Sequence, residues 1–152
     1  MRIPIGSLSL ELPDTWKDRT IHTFIAPKVI SPVSSPHLRL GPGFRENFNI
    51  GRERVKSGTD PRRYLKGQIV ELKDRLMNFE IVEEQEMIFQ GHPAYNISYQ
   101  FSLRNARLKV CQMRVALLIG REMINFTGTA AASVFESKKM IFMKILNSIE
   151  IP

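Results

Sequence analysis

Between residues 92 and 103 the side chains alternate in character. Tyr95, Ile97, Tyr99, Phe101 and Leu103 are apolar, whereas Asn96, Ser98, Gln100 and Ser102 are short, neutral and polar. Successive side chains of a strand point to opposite faces, so this period of two predicts a strand with one core face and one polar face. A shorter alternation at 7–12 places Leu8, Leu10 and Leu12 on one side before Pro13 stops it, and the β-branched and aromatic content of 19–26 predicts a second strand. Residues 44–55 carry Phe44, Phe48 and Ile50 on one face, with Gly51 able to bend the strand. Residues 79–89, 91–103, 108–119 and 123–130 then form a four-strand meander, turned at "QGHP", "RNAR" and "GRE".

A helical period appears twice. Over 60–77, Asp60 is placed to cap, Pro61 suits the first helical position, and Leu65, Ile69, Leu72 and Leu76 form a stripe that packs on a sheet. The closing helix opens on a capping-box pattern, Ser133 and Glu136, and its core face includes Phe135, Phe142, Ile145, Leu146 and Ile149. Met140, Ile141 and Met143 make that helix apolar on more than one side, which predicts either deep burial or cover by a partner, including a second copy. Residues 27–43 hold four prolines in 17 positions and exclude a regular element there; such a loop is either functional or a disordered excursion.

These elements predict a small α+β domain. A chain of 152 residues with 43% hydrophobic side chains is the size of one domain, 1–152, with one core. The net charge of +7 raises a nucleic-acid role, but the basic residues are dispersed and interleaved with acids, as in "GRERVK", so a solvated basic surface is the better reading. The opening "MRIPIGSLSLELPDTW" has neither an apolar run nor a cleavage site, and no stretch approaches the roughly 20 apolar residues of a spanning helix. The expectation is a cytoplasmic protein that does not insert stably into a membrane.

Catalytic chemistry is hard to assemble. His22, His37 and His92 show no metal-ligand spacing, and Cys111, the single cysteine, sits in an apolar strand as a buried, inert thiol. "GPG" at 41–43 is too short to cradle a phosphate. Glu83, Glu84 and Glu86 alternate between strand faces and read as a solvated edge. No catalytic, cofactor or metal site is therefore expected, and the protein is not expected to be an enzyme.

One feature outlasts this search, the polar face of the meander. Asn96, Ser98 and Gln100, joined across strands by Gln112, Arg114 and Asn125, with Ser102 and Thr127, either form a wet surface or bind a partner. Solvated strand faces carry more Lys and Glu, whereas neutral amides and hydroxyls suit hydrogen bonding at close quarters.

The series "LELPDTWKDRTIHTF" at 10–24, "NFNIGRERV" at 47–55, the helix with "YLKGQIVELKDRL", "FEIVEEQEMIFQGHPAYNISYQF" at 79–101 and the late "INFTGTA" resembles the DcrB-like family across nearly the whole chain. The resemblance implies a PsbP-like α/β sandwich, a curved antiparallel sheet of about six to seven strands flanked by two main helices. Some members are periplasmic lipoproteins, which the opening residues do not suggest. Others resemble Eag-type chaperones of type VI secretion, which bind the apolar amino-terminal transmembrane segments of an effector. That implies a cytoplasmic chaperone whose polar face mimics the helix-to-helix hydrogen bonds of membranes while its Phe and Met side chains supply apolar cover. The apolar closing helix and the long loop at 27–43 offer surface for a second copy, so a homodimer is expected. An adaptor domain binding a soluble protein is the alternative.

Overall fold

The structure is a computed structural model, and it describes residues 2–5, 8–11, 21–25, 46–103 and 108–151. Eight strands are present among them: β1 (Arg2–Ile5), β2 (Leu8–Glu11), β3 (Ile21–Ile25), β4 (Asn47–Arg54), β5 (Met77–Phe89), β6 (His92–Ser102), β7 (Lys109–Ile119) and β8 (Glu122–Ala131). Two helices accompany them, α1 (Pro61–Lys73) and α2 (Phe135–Asn147). β1 and β2 pair in a two-stranded sheet, and the remaining six form an antiparallel sheet in the order β3-β4-β8-β7-β6-β5. The meander predicted over 79–130 is present, and β4 extends it along the free side of β8. The proline-rich segment 27–43 and the turn "RNAR" lie outside the described residues.

Turn chemistry sets the register. Gln90 and Gly91 both have positive φ, 48° and 81°, the two-residue geometry that matches the right-handed twist of the strands it joins. The left-handed Asn78, φ 53°, stands at the first of two register shifts in the β5/β6 pairing.

The helices pack on opposite faces of the sheet, so there are two apolar layers where composition suggested a single core. Leu65 and Ile69 of α1 are buried with Tyr95, Ile97, Tyr99, Phe101 and Val110. Phe135, Phe142 and Leu146 of α2 are buried with Met113, Val115, Leu117, Phe126 and Ala130. The α2 layer continues outward as a stack of rings, Phe126, Phe48 and Phe24, with centroids 5.7 and 4.8 Å apart.

Several local expectations are corrected. The helix expected over 60–77 stops at Lys73, because the chain turns through Asp74 into β5; Asp60 does cap it, accepting from the Arg62 amide at 3.4 Å. The Ser133/Glu136 capping box does not form. A 3-10 turn over Ala132–Val134 leads into α2, whose first residue is Phe135, and Ser137 Oγ instead donates back to the Val134 carbonyl. Glu83, Glu84 and Glu86 are not merely solvated: Glu83 pairs with Lys139 of α2, while Glu84 and Glu86 lie 3.7 and 3.6 Å from Lys66 and Arg62 of α1. Adjacent strand positions thereby tie β5 to both helices.

Candidate functional site

Cross-strand register decides which polar residues share a face, because directly opposed residues in an antiparallel pair point the same way. Tyr99 stands opposite Gln112, which stands opposite Thr129 and then Asn47. Ile97 leads in the same manner to Arg114, Thr127 and Asn49, and Tyr95 to Ala116, Asn125 and Gly51. Gln112, Arg114 and Asn125 therefore lie on the α1 face, with the apolar side of β6.

Asn96, Ser98 and Gln100 lie on the other face, opposite Val115, Met113 and Cys111. The expectation of one polar face holding all six residues is thus corrected: the structure brings three of them together and sends three to the α2 side. Both alternating sets of β6 are covered, since Asn96 and Ser98 are as inaccessible as the tyrosines. Asn96 Oδ1 and Ser98 Oγ have no hydrogen-bond partner among the described residues. Gln100 is partly exposed and donates to Glu80 Oε2 at 2.8 Å.

On the α1 face the helix covers β6 and β7, while the part of the sheet built by β7, β8 and β4 carries polar side chains. A cavity of about 250 Å³ runs there, lined by Asn49, Arg52, Glu53, Tyr64, Gln68, Arg114, Asn125 and Thr127, together with Ile21 and Gly51. Tyr64 and Gln68 come from the flank of α1, four residues apart and so on one side of the helix. Asn47 and Asn49 alternate with Phe48 along β4.

The side chains are networked. Tyr64 Oη donates to Glu53 Oε2 at 2.8 Å and accepts from Asn125 Nδ2 at 2.9 Å. Arg114 donates to Gln68 Oε1. Tyr99 Oη donates to Gln112 Oε1, and Gln112 Nε2 donates to Thr129 Oγ1 at 3.0 Å. Two acceptors, Asn49 Oδ1 and Asn125 Oδ1, have no partner among the described residues. Burial, reinforced by the Glu53 carboxylate, raises the Tyr64 phenol above its ordinary value, so it stays neutral and keeps donating at neutral pH. Burial raises Tyr99 in the same direction. The site thus combines fixed hydrogen-bonding groups with one carboxylate, Glu53, and two guanidiniums, Arg52 and Arg114.

Cys111 is buried on the α2 face, its thiol pushed up to about 12, by burial above all. His22 lies on β3, His92 opens β6, and His37 lies outside the described residues. Among the described residues no group of His, Cys, Asp or Glu is arranged to hold a metal ion, and no helix is long and apolar enough to cross a membrane.

Tyr64, Gln68, Glu53 and Asn49 were not among the residues expected from the sequence. The signals that could have found them are the spacing of Tyr64 and Gln68 beside the Leu65/Ile69 stripe and the alternation in "NFN" of β4.

Solved structures place this architecture among PsbP-like folds. Over 100% of the chain it is similar to PA94, a Pseudomonas aeruginosa protein of unknown function, with TM-score 0.72, 17% identity and 96% of that chain covered. LpqN of Mycobacterium tuberculosis, a protein involved in cell envelope biogenesis, gives TM-score 0.57 at 13% identity over 88% of this chain and 83% of its own. Cyanobacterial PsbP (CyanoP) from Synechocystis sp. PCC 6803 gives 0.51 at 14% identity, over 70% and 68%. At such identities the likeness establishes the fold. The family follows from the sequence: the DcrB family model matches residues 38–148, and the chain belongs to the DcrB family. No curated protein sequence matches it.

Proposed function

We propose that this chain is a non-enzymatic binding protein that holds an apolar helical segment of another protein against the trough beside α1, in the manner of Eag-type chaperones that keep effector segments soluble before type VI secretion. The observation that carries the reading is the trough itself. Neutral amides and hydroxyls of β4, β8 and α1 converge on it, and two of its acceptors, Asn49 Oδ1 and Asn125 Oδ1, await a donor. A helix is roughly 10–12 Å across with its side chains. A cavity of about 250 Å³ therefore admits side chains from one stripe of a helix and leaves the rest of it outside. Exposed Ile21 at the margin supplies apolar cover. In this reading the protein acts in the cytoplasm as a homodimer, whose second copy covers the remainder of the client.

The test is co-expression with a soluble reporter carrying a 20-residue Leu/Ala/Ser helix at its amino terminus. The expected result is a soluble complex with the native protein and a several-fold loss with Asn49→Ala combined with Thr127→Val, variants that leave the Tyr64–Glu53–Asn125 chain intact. Failure of the native protein to retain the reporter overturns the reading and favours an adaptor for a soluble partner.

A further inference from the structure

β5 is the terminal strand of the sheet, and among the described residues no strand pairs with its outer edge. Among the described residues, four of the nine large apolar side chains left exposed, Met77, Ile81, Val82 and Ile88, stand on this one strand. An unpaired edge with exposed apolar side chains invites another strand, which would complete the backbone hydrogen bonds along it.

The charges on β5 restrict what that strand can be. Its 13 residues hold four acids and no base, in a chain of net charge +7. On the α1 face the order outward from the bulge is Ile81, Glu84, Glu86, Ile88, an apolar–acid–acid–apolar row. Ile88 is 82% exposed, and the Glu86 side chain 74%. A second copy paired antiparallel about Glu84, Gln85 or Glu86 sets one carboxylate against another, which is destabilising. Lys66 and Arg62 of α1 face Glu84 and Glu86, and Lys139 of α2 faces Glu83. The two α1 pairs are substantially exposed, so each contributes little and yields readily to an incoming cation.

We propose that the Ile81–Phe89 stretch of β5 is a docking edge for an extended segment of another protein that presents two cationic residues, two positions apart, between apolar residues on the same face, adding as a strand with its cations over Glu84 and Glu86 and its apolar ends over Ile81 and Ile88. This edge is distinct from the trough and independent of the function proposed for it.

The probe is a labelled peptide, Val-Thr-Lys-Thr-Lys-Thr-Val, with a counterpart carrying Glu in place of Lys. Fluorescence anisotropy on the full chain is expected to show saturable binding of the Lys peptide that weakens with salt and falls at least tenfold in the Glu84→Lys/Glu86→Lys variant. Amide shifts in the nuclear magnetic resonance spectrum are expected over residues 81–89. No binding at millimolar peptide, equal binding of the Glu peptide, shifts confined to the trough, or a dimer in which β5 amides are protected each overturn the proposal. Far-ultraviolet circular dichroism of the variant separates lost binding from lost folding: an unfolded variant is replaced by Glu86→Gln, for which a smaller loss is expected and unchanged affinity counts against the edge.

Discussion

The ring of Phe142 lies directly on the backbone of Gly128, so close that a Cβ at position 128 would stand 2.6 Å from the ring. This contact seats α2 on β8, at the centre of the α2 layer with Phe135 and Leu146. It also assigns a physical reason to the glycine of "FTGTA": any side chain there must displace the helix or its ring.

Gly128→Ala is therefore expected to destabilise the protein by about 1–3 kcal/mol, the usual cost of overpacking a tight core. Urea unfolding of Gly128→Ala, alone and with Phe142→Leu, checks this. The double variant should lose less than the sum of the two single losses, because the smaller side chain vacates the site of the clash.

Gln112 and Gln100 should separate sharply. Gln112→Ala removes the partner of the buried Tyr99 hydroxyl and of Thr129 at once, and leaving such groups unpaired costs about 1–3 kcal/mol. Gln100→Ala removes an exposed bond to Glu80 and should stay within about 0.5 kcal/mol of the native protein. Thermal or urea unfolding of the two variants decides whether Gln112 is part of the scaffold.

Ser98→Ala is expected to be neutral or stabilising by up to roughly 1 kcal/mol, since a buried hydroxyl without a partner loses its hydration for no return. A clear loss of stability in urea would mean that a buried water or another group satisfies Ser98 Oγ.

Cys111 predicts an alkaline limit to stability. Its thiol pKa is raised from 9.0 to about 12 in the folded chain, so between those values the unfolded state has released a proton that the folded state retains. Fewer protons bound in the unfolded state means that stability falls as pH rises through that window, by at most about 1.4 kcal/mol per pH unit from this group. Cys111→Ala should flatten part of that slope in unfolding measured from pH 8 to 11, and native Cys111 should react slowly with a thiol reagent at pH 8.

The strands and helices were legible because burial imposes a period on the chain. The alternation of Tyr95, Ile97, Tyr99 and Phe101 and the stripe of Leu65, Ile69 and Leu72 are direct imprints of surfaces that leave water. The polar set of β6 misled for a related reason: periodicity separates two faces but does not report whether the second is also covered. Asn96 and Ser98 read as a surface until α2 is placed over them.

Chain order and composition by themselves determined the elements, the meander, the Asp60 cap and the family, since each depends on neighbours in sequence or on a motif of fixed spacing. Tertiary structure alone decided that Gln112, Arg114 and Asn125 face α1 while Asn96, Ser98 and Gln100 face α2. Register across three strands sets that division, and a shift of one residue reverses it. The trough has the same origin: Tyr64 meets Glu53 and Asn125 only when a helix, β4 and β8 are packed together, and no local pattern encodes a meeting of groups 11 and 61 residues apart.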